Sequence, residues 1–431
     1  MKYYSLHKSA PDVDFREAVI SGQAPDRGLY FPENIPQLPK EFIQNLSRLS
    51  KEEIGFTVMK PYVGDSIPDD VLKTIVEETI NFPFPLVRVD ENIFSLELFH
   101  GPTYAFKDVG ARFMSRCLGY FNQNNSKKTT ILVATSGDTG GAVANGFLGV
   151  DGVEVIILYP SGKVSPVQEL QLTTCGQNIT ALEIKGSFDD CQAIVKQAFT
   201  DEDLKQKYRL TSANSINVGR WLPQQLYYFY ALQQWKQNDA PVICVPSGNF
   251  GNICAGILAY VSGLPVKHFI AACNANDVVP RFLNTEQYEP KQSVATISNA
   301  MDVGNPSNFV RILELFHQQV SDLKNVLSSV SVSDDETRKA IRRAYDDTGY
   351  MLDPHGAVAY KALEDYLPGN KNGKGIILET AHPVKFPDVV EDILMTKIPL
   401  PENAKDLFDK EKKSVVLEAG FEQVKDWMLS R

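Results

Sequence analysis

Short apolar runs recur along this chain, and three of the loops that follow them are rich in Gly, Ser, Thr and Asn. "TTILVA" (129–134) leads into "TSGDTGG", and "PVICVP" (241–246) leads into "SGNFGN". Further runs are "VEVIILYP" (153–160), "VKHFIAACN" (266–274) and "GKGIILET" (373–380). Helix-like segments separate several of these runs. The alternation predicts an α/β fold with mainly parallel sheets, whose ligands bind at the loops after the carboxyl ends of the strands.

The regions of this 431-residue chain differ in character, and the length is more than one domain usually needs. The first 95 residues hold the proline-rich stretch "DRGLYFPENIPQLP" and a helix-like segment at 68–80, so we expect a lead segment that packs on the core. Ser333 or Asp334 is a suitable cap for an exposed helix at 333–347. Only about 45 residues follow the last site-like stretch, too few for a separate regulatory domain.

Charge and cysteine content narrow the classes of partner. The formal net charge of −10 argues against a nucleic acid or an anionic membrane surface. No stretch approaches the ~20 apolar residues of a membrane span, and the N-terminus lacks the apolar centre of a secretion signal. The six cysteines form no C-x-x-C pair and the histidines show no zinc-type spacing. We therefore expect buried free thiols in a reducing cytoplasm and no metal site.

Lys107 has unusual neighbours for a lysine. It lies between Phe106 and Asp108 at the predicted start of a helix, in "HGPTYAFKD" (100–108). A desolvated lysine has a depressed pKa and offers the free amine that Schiff-base chemistry requires. A positive charge at this end of a helix also opposes the helix dipole. The alternative is a lysine that only extends its amine to solvent, which is the more common arrangement.

The loop "PSGNFGN" (246–252) has the composition of an anion-binding turn. Gly248 and Gly251 let backbone N–H groups approach an anion closely, and the helix that follows points its positive end at the same place. The pattern is not a nucleoside-triphosphate loop, and no acidic ribose ligand follows at a convincing spacing. A site for a small phosphate and a plain strand-to-helix turn both remain open.

The loop "TSGDTGG" (135–141) also follows a predicted strand. Ser136, Thr139 and the backbone amides at a helix start could hold a carboxylate. The alternative is a structural cap, in which Ser136 or Asp138 closes a helix that begins at Thr139. The loop alone favours the structural cap.

A fourth group of polar residues lies in "SANSINVGRW" (212–221). Asn214 and Ser215 are short hydrogen-bonding side chains, and Arg220 adds one guanidinium, so the set suits a phosphate. A surface loop with an ordinary arginine is the alternative. Taken with Lys107 and the two glycine loops, these residues supply an amine, a binding site for a phosphate and a binding site for a carboxylate. Pyridoxal phosphate with an amino-acid substrate fits this combination.

The sequence resembles the threonine synthase family, of the longer bacterial and fungal type, within the fold-type II pyridoxal-phosphate enzymes. The matching stretches occur in family order over nearly the whole chain: "DRGLYFP" (26–32), "HGPTYAFKD" (100–108), "TSGDTG" (135–140), "NSINVGR" (214–220), "PSGNFGN" (246–252), "DPHGA" (353–357) and "ETAHPVKFP" (379–387). "HGPTYAFKD" together with "PSGNFGN" separates this family from serine dehydratases and cysteine synthases.

The resemblance implies two open, twisted, mainly parallel sheets with flanking helices, as in the β subunit of tryptophan synthase, plus the N-terminal lead segment. It divides the chain into three parts. Residues 1–95 would pack on the core, residues 96–210 would form a smaller mobile α/β domain, and residues 211–431 would form the larger cofactor-binding domain. Lys107 and "TSGDTG" would belong to the smaller domain.

The resemblance also implies site roles, residue by residue. Lys107 would carry pyridoxal 5′-phosphate as a Schiff base and act as the catalytic base, and Thr380 would hydrogen-bond the pyridine nitrogen. The cofactor phosphate would be bound by the loop amides of Gly248, Asn249, Phe250, Gly251 and Asn252. The substrate carboxylate and the cofactor's hydroxyl edge would be contacted by Ser136, Asp138 and Thr139. The substrate phosphate would be bound by Asn214, Ser215 and Arg220.

The activity implied is that of a lyase acting on phosphates, which converts O-phospho-L-homoserine and water to L-threonine and phosphate, the last step of threonine biosynthesis. Phe106 and Tyr104 would exclude water from Lys107, and Asp108 would orient or cap the local backbone. Gly356 in "DPHGA" stands where many relatives would carry threonine, and we expect that loop to be structural. We expect a cytoplasmic monomer or homodimer that acts on a small molecule.

Three other interpretations stay open at this point. A threonine or serine dehydratase of the same fold type has no substrate phosphate to bind, so Arg220 with Asn214 and Ser215 argues against it. An inactive relative that only binds phosphorylated small molecules would not need both Lys107 and Thr380. A nucleotide-binding regulatory protein would need a fingerprint that the sequence lacks.

Overall fold

The computed structural model describes residues 1–123, 128–135, 137–369, 373–401, 407 and 409–431. The strands lie in three sheets, and in chain order they are β1 (Lys2–Ser5), β2 (Val13–Asp14), β3 (Tyr30–Pro32), β4 (Leu86–Arg88), β5 (Ile93–Glu97), β6 (Thr129–Ala134), β7 (Val153–Pro160), β8 (Ile179–Lys185), β9 (Arg209–Thr211), β10 (Val242–Pro246), β11 (His268–Cys273), β12 (Leu327–Ser331), β13 (Gly375–Glu379) and β14 (Val415–Glu418).

Helices surround these sheets. In chain order the α-helices are α1 (Phe15–Ser21), α2 (Lys40–Gln44), α3 (Lys51–Val63), α4 (Asp69–Thr79), α5 (Lys107–Asn122), α6 (Asp138–Phe147), α7 (Pro166–Thr173), α8 (Phe188–Ala198), α9 (Glu202–Lys207), α10 (Val218–Trp221), α11 (Gln225–Gln234), α12 (Gly251–Val261), α13 (Val278–Thr285), α14 (Phe309–Leu315), α15 (Val320–Val326), α16 (Asp334–Thr348), α17 (Pro354–Tyr366), α18 (Pro387–Leu394) and α19 (Phe421–Leu429). Short 3₁₀ turns include Leu222–Gln224, Asn299–Met301 and Pro383–Lys385.

The larger sheet has the strand order β12-β11-β10-β13-β5-β4. Its pairs are parallel except β4–β5, which is antiparallel. The runs "VICVP" and "GIILE" are buried along their whole length in β10 and β13, as strands covered on both faces require. The carboxyl ends of β10, β13 and β5 therefore meet at one edge, where their following loops converge.

The smaller sheet has the order β14-β8-β7-β6-β9, and all of its pairs are parallel. β6 covers the predicted run 129–134 and β7 the predicted run 153–160. α5 and α6 pack closely against each other, because small residues such as Ala111 and Gly146 meet there. The prediction of two open, mainly parallel sheets with flanking helices is confirmed.

The N-terminal part packs on the core through buried aromatic side chains. Its strands pair antiparallel in the order β2-β1-β3, and Tyr3 and Phe15 are fully buried. The Asp14 side chain caps α1, and a capping box between Ser50 and Glu53 starts α3. Two segments join a sheet other than the one their predicted range suggests. β4 and β5 (residues 86–97) join the larger sheet, although the predicted larger domain begins at residue 211. β14 joins the smaller sheet, although it lies within the range 211–431.

Other local predictions are also met. Ser333 caps α16, as expected for a helix in 333–347, and α4 falls within the predicted segment 68–80. All six cysteines are free thiols, and all except Cys175 are buried. Among the described residues, no helix is long and apolar enough to cross a membrane.

Candidate active site

Lys107 is the first residue of α5, and its amine lies near Asp138, the first residue of α6. Its side chain is 19% exposed, and its Nζ lies 5.4 Å from the centre of the Phe106 ring. Burial lowers the pKa of Lys107, and the nearby charges of Lys385 and Arg220 lower it further, against an opposing effect of Asp138. The amine of Lys107 therefore has the enclosed setting that nucleophilic and proton-transfer chemistry requires.

Backbone contacts fix the segment that precedes Lys107 to the end of β13. The Phe106 N–H donates to the carbonyl of Thr380 (2.9 Å), and the His382 N–H donates to the carbonyl of Tyr104 (3.0 Å). Tyr104 has a left-handed backbone with φ of 58° and is buried. These contacts join the residue before Lys107 to Thr380, which is also buried.

Asp138 lies close to two lysines. Its Oδ1 pairs with Nζ of Lys385 at 2.6 Å, and its Oδ2 lies 3.9 Å from Nζ of Lys107. Gln168 Nε2 also donates to Oδ1 of Asp138 (3.0 Å). Burial alone would raise the pKa of Asp138, but the charges of Lys385 and Lys107 outweigh this and hold it well below its usual range. Asp138 is therefore a carboxylate that stays ionised inside the protein.

Lys385 is a site residue that the sequence reasoning missed. Its side chain is fully buried, and besides Asp138 it donates to the carbonyl of Thr103 (3.0 Å). A signal was available, because Lys385 lies between Val384 and Phe386 in "HPVKFP", the same kind of apolar surroundings that singled out Lys107. A buried lysine requires a charged partner, and Asp138 supplies it.

The glycine loop 246–252 leaves β10 and enters α12. Phe250 has a left-handed backbone with φ of 60° and precedes the first helical residue. Within the described part of the chain, the amide N–H groups of all five predicted phosphate ligands donate no hydrogen bond: Gly248, Asn249, Phe250, Gly251 and Asn252. Unpaired amides at the start of an eleven-residue helix are suited to bind a phosphate.

The loop after β6 forms a second helix start. Thr135 Oγ1 accepts from the N–H groups of Gly137 and Gly140 (both 2.9 Å), and α6 begins at Asp138. The expected cap at Asp138 and the expected helix start at Thr139 need correction, because α6 begins one residue earlier and the Thr135 hydroxyl accepts from the Gly137 and Gly140 amides. Ser136 lies outside the described residues. The N–H groups of Asp138 and Thr139 make no hydrogen bond to the described residues.

Asp108 organises the backbone before Lys107. It accepts from the Thr103 N–H (2.9 Å) and from the Thr103 hydroxyl (2.5 Å). Burial raises the pKa of Asp108 to about 6, although these two hydrogen bonds oppose the shift. The prediction that Asp108 orients or caps the local backbone is confirmed by these contacts.

Arg220 is buried in α10, with 3% of its surface exposed. Its Nη1 donates to the Ala213 carbonyl, and its Nε has no hydrogen-bond partner among the described residues. Nε lies beside Gly110, one turn of α5 after Lys107, since a Cβ atom on Gly110 would be only 3.1 Å from it. Burial lowers the pKa of Arg220 to about 10, so the guanidinium stays charged. Among the described residues, no carboxylate forms an ion pair with it.

Asn214 and Ser215 are half-buried in the loop that leads to α10. Ser215 is joined by its hydroxyl to Asn249 of the glycine loop at 2.8 Å. The two segments predicted to bind two different phosphates therefore adjoin each other. Arg311, which the sequence reasoning also missed, is fully buried behind this loop and donates to the carbonyls of Ser215 and Ile216.

These features fit pyridoxal 5′-phosphate. Lys107 offers an enclosed amine for its aldehyde, and the backbone carbonyl of Thr380 is bonded to Phe106, the residue before that lysine. The five unpaired amides of the glycine loop suit the cofactor phosphate, and the residues that carry these amides have no negatively charged side chain that would repel it. An enclosed lysine and a set of free loop amides are the groups that a pyridoxal-phosphate enzyme needs to hold its cofactor.

Comparison with known proteins also indicates a pyridoxal-phosphate enzyme, and it identifies the family within that class. A family profile described as "Pyridoxal-phosphate dependent enzyme" matches residues 80–378. Profiles described as "Threonine synthase N terminus" and "Threonine synthase, C-terminal" match residues 2–80 and 356–428. The chain therefore belongs to the threonine synthase family of pyridoxal-phosphate enzymes.

Individual relatives agree with this assignment over the whole chain. Threonine synthase from Haemophilus influenzae is 47% identical over 404 residues, which covers 93% of each chain. The crystal structure of threonine synthase from Escherichia coli has a TM-score of 0.93 at 44% identity and full coverage of both chains. A structure of PLP-bound threonine synthase from Brucella melitensis has a TM-score of 0.93 at 37% identity, with 99% and 98% coverage.

The predictions of family, fold class, cofactor and activity are confirmed. The protein is a pyridoxal-phosphate-dependent lyase whose reaction forms threonine. The dehydratase, the inactive relative and the nucleotide-binding regulator are set aside. The roles of individual residues remain predictions, and we treat them next as a proposal.

Proposed function

We propose that the protein acts on O-phospho-L-homoserine, and that Lys107 is its catalytic base while Arg220 binds the phosphate of the substrate. The observation that carries this proposal is the buried guanidinium of Arg220. It is charged, it has no carboxylate partner among the described residues, and it lies one helical turn from Lys107. A buried cation without a partner of opposite charge is costly, so an anionic ligand is expected to pair with Arg220.

Two separate groups of anion-binding atoms support a reaction with two phosphates. The glycine-loop amides suit the cofactor phosphate, and Arg220 with Asn214 and Ser215 suits the substrate phosphate. The unpaired amides of Asp138 and Thr139, together with the Thr139 hydroxyl, suit the substrate carboxylate. A dehydratase substrate would leave the charge of Arg220 unmatched.

The chemistry is divided between the cofactor and the protein. Pyridoxal phosphate supplies the aldehyde that joins the substrate amine and the ring that withdraws electrons from the substrate carbons. The Lys107 amine removes the proton at Cα and moves a second proton at Cβ, because its lowered pKa keeps a neutral fraction available. Arg220 stabilises the charge that develops on the phosphate as it leaves Cγ, after which water adds at Cβ.

Substitution of Arg220 tests this proposal. Arg220→Ala should lower kcat/KM for O-phospho-L-homoserine by about 10²–10³, and Arg220→Lys should recover only part of it, because lysine lacks the planar fork. The measurement is phosphate release and threonine formation. Arg116→Ala is the matched control, since Arg116 on α5 pairs with Glu78 and does not touch the site. Equal losses on O-phospho-L-homoserine and on unphosphorylated serine would contradict the assigned role.

We further propose that the protein works in the cytoplasm on small molecules, as a monomer or homodimer, without a nucleic-acid partner. The six free cysteines support a reducing compartment. The net charge of −10 argues against nucleic acid. Sedimentation of the purified protein at several concentrations would give its oligomeric state, and a trimer or larger assembly would contradict this part of the proposal.

A further inference from the structure

The hydroxyl of Ser215 is held by two asparagines. Its Oγ accepts from Asn249 Nδ2 (2.8 Å) and from Asn308 Nδ2 (3.0 Å). Asn249 belongs to the glycine loop, and Asn308 immediately precedes α14. Asn308 is fully buried, lies in none of the matching stretches, and also contacts the Asn249 carbonyl (3.2 Å). It is therefore a candidate for a role that the sequence did not indicate.

The orientation of both amides is fixed by neighbours that can only donate. The backbone N–H of Ser307 donates to Asn249 Oδ1 (2.6 Å), and Arg311 Nη1 donates to Asn308 Oδ1 (2.7 Å). A backbone N–H and a guanidinium cannot accept a hydrogen bond. The amide oxygens must therefore face these donors, and the NH₂ groups must face Ser215.

This arrangement determines what the Ser215 hydroxyl can do. A hydroxyl has two acceptor positions and one proton to donate. Asn249 and Asn308 occupy both acceptor positions, so the remaining capacity of the group is donation. Within the described part of the chain this hydroxyl donates no hydrogen bond, and the side chain is only half-buried. Its proton is therefore available to a ligand that accepts.

The backbone of Ser215 is held as firmly as its side chain. Arg311 donates to the carbonyls of Ser215 (3.1 Å), Ile216 (2.6 Å) and Tyr30 (3.0 Å). The guanidinium carbon also lies 4.4 Å from the centre of the Trp221 ring. These contacts prevent the loop from turning the hydroxyl away, because each would have to break in the protein interior.

We propose that Asn308 and Asn249 are positioning residues that hold the Ser215 hydroxyl as a hydrogen-bond donor to a phosphate monoester. The inference rests on the proposed function, which brings two phosphates to this place. A phosphate oxygen accepts strongly, and a hydroxyl that cannot compete as an acceptor is a suitable partner for it. The phosphate belongs either to the substrate or to the cofactor, and the test separates these sources.

A double-mutant cycle tests the proposal. Ser215→Ala and Asn308→Ala should each weaken binding of one phosphate by about 10- to 100-fold, the worth of a hydrogen bond to a charged group. In the Ser215→Ala background, Asn308→Ala should add less than about threefold, because it acts through the hydroxyl that has been removed. Losses that simply multiply would overturn the proposal.

Two measurements on the holoenzyme identify the phosphate. A raised KM for O-phospho-L-homoserine with an unchanged rate of cofactor release assigns the hydroxyl to the substrate. Faster release of pyridoxal phosphate on dilution assigns it to the cofactor. Both outcomes support the inference, and no change in either measurement for a folded Ser215→Ala variant would contradict it. Failure of Arg220→Ala to impair turnover would contradict the proposed function but would leave the cofactor-release result standing.

Two further variants guard against a general loss of folding. Asn178→Ala removes an asparagine that bonds the Phe147 and Val153 carbonyls in the smaller sheet, and it should change neither KM nor cofactor release. Asn308→Asp keeps the shape and the contact with Arg311 but presents an acceptor to Ser215. It should turn the hydroxyl proton inward and reproduce the effect of Ser215→Ala. A normal KM and normal cofactor release in Asn308→Asp would contradict the proposal.

Discussion

Glu379 is a fully buried carboxyl group next to Thr380 in the chain. The Asp353 N–H donates to its Oε1 (2.7 Å), and a Cβ atom on Gly356 would lie 1.5 Å from its Oε2. The glycine of "DPHGA", which departs from the residue expected in many relatives, is therefore required by the glutamate facing it. Burial raises the pKa of Glu379 well above its ordinary value, and the charge of Asp353 adds to the shift.

The raised pKa of Glu379 predicts how stability changes with pH. Above about pH 4.3 the unfolded glutamate loses its proton while the folded one keeps it, so this residue lowers stability by about 1.4 kcal/mol per pH unit until the folded pKa is passed. Glu379→Gln, which has the same shape, should remove this decline. The measurement is the urea midpoint between pH 5 and 9.

The control for this prediction is Glu77→Gln, on the exposed side of α4. It should leave the pH dependence of the wild-type protein unchanged. If the wild-type and Glu379→Gln curves stay parallel over the whole range, Glu379 is ionised in the folded protein and our interpretation of its burial is wrong.

At the scale of elements, the turn from β10 into α12 depends on close backbone approach. A Cβ atom on Gly248 would lie 2.5 Å from Cα of Met301, a backbone atom that cannot move aside alone. Gly248→Ala should displace the loop amides and weaken binding of pyridoxal phosphate by about tenfold or more. Cofactor retention after dialysis measures this effect.

Gly420 provides the matched control for that substitution. A Cβ atom there meets nothing within 4 Å, and its φ of −157° suits any residue. Gly420→Ala should therefore retain the cofactor as the wild type does. If Gly248→Ala also retains the cofactor fully, the amides of this loop do not bind the cofactor phosphate.

The elements that could be predicted from sequence are those with a strong local pattern. Continuous apolar runs gave β6, β7 and β10, and the Ser333 cap with its acidic first turn gave α16. The short edge strand β14 was not predicted, because its alternate residues are exposed and it forms only by pairing with β8.

The same distinction applies to the site. Lys107 and the glycine loop could be found because their chemistry follows from adjacent residues. Lys385 had a local signal in its apolar neighbours, but its pairing with Asp138 could not be predicted, and neither could the contact of Asn308 with Ser215. These partners are distant in sequence, and only the packed fold brings them together. Helix starts were also less predictable, since α6 begins at Asp138 and the Thr135 hydroxyl accepts from the amides of Gly137 and Gly140.

At the scale of the whole molecule, the site lies between the two sheets. Asp138 begins a helix that follows β6 of the smaller sheet, whereas Lys385 and Thr380 follow β13 of the larger one. A substrate that contacts both sides should draw them together. We therefore predict a smaller radius of gyration and slower proteolysis when a non-hydrolysable phosphonate analogue of the substrate is bound.

The control for closure is the Arg220→Ala variant, which should respond to the analogue only weakly because its phosphonate contact is missing. Identical scattering curves and identical proteolysis of the wild-type protein with and without saturating analogue would count against closure. Residues 96–210 would then not move as a separate domain when the substrate binds.

The measurement that tests the account most directly is the identity of the lysine that carries the cofactor. Lys107 and Lys385 both lie beside Asp138, but of the two only Lys107 has a partly exposed side chain. Borohydride reduction of the yellow holoenzyme, followed by peptide mapping, should find the pyridoxyl group on Lys107. Lys107→Ala should abolish threonine formation while pyridoxal phosphate still binds without a covalent bond. A label on Lys385 or any other lysine would contradict the account.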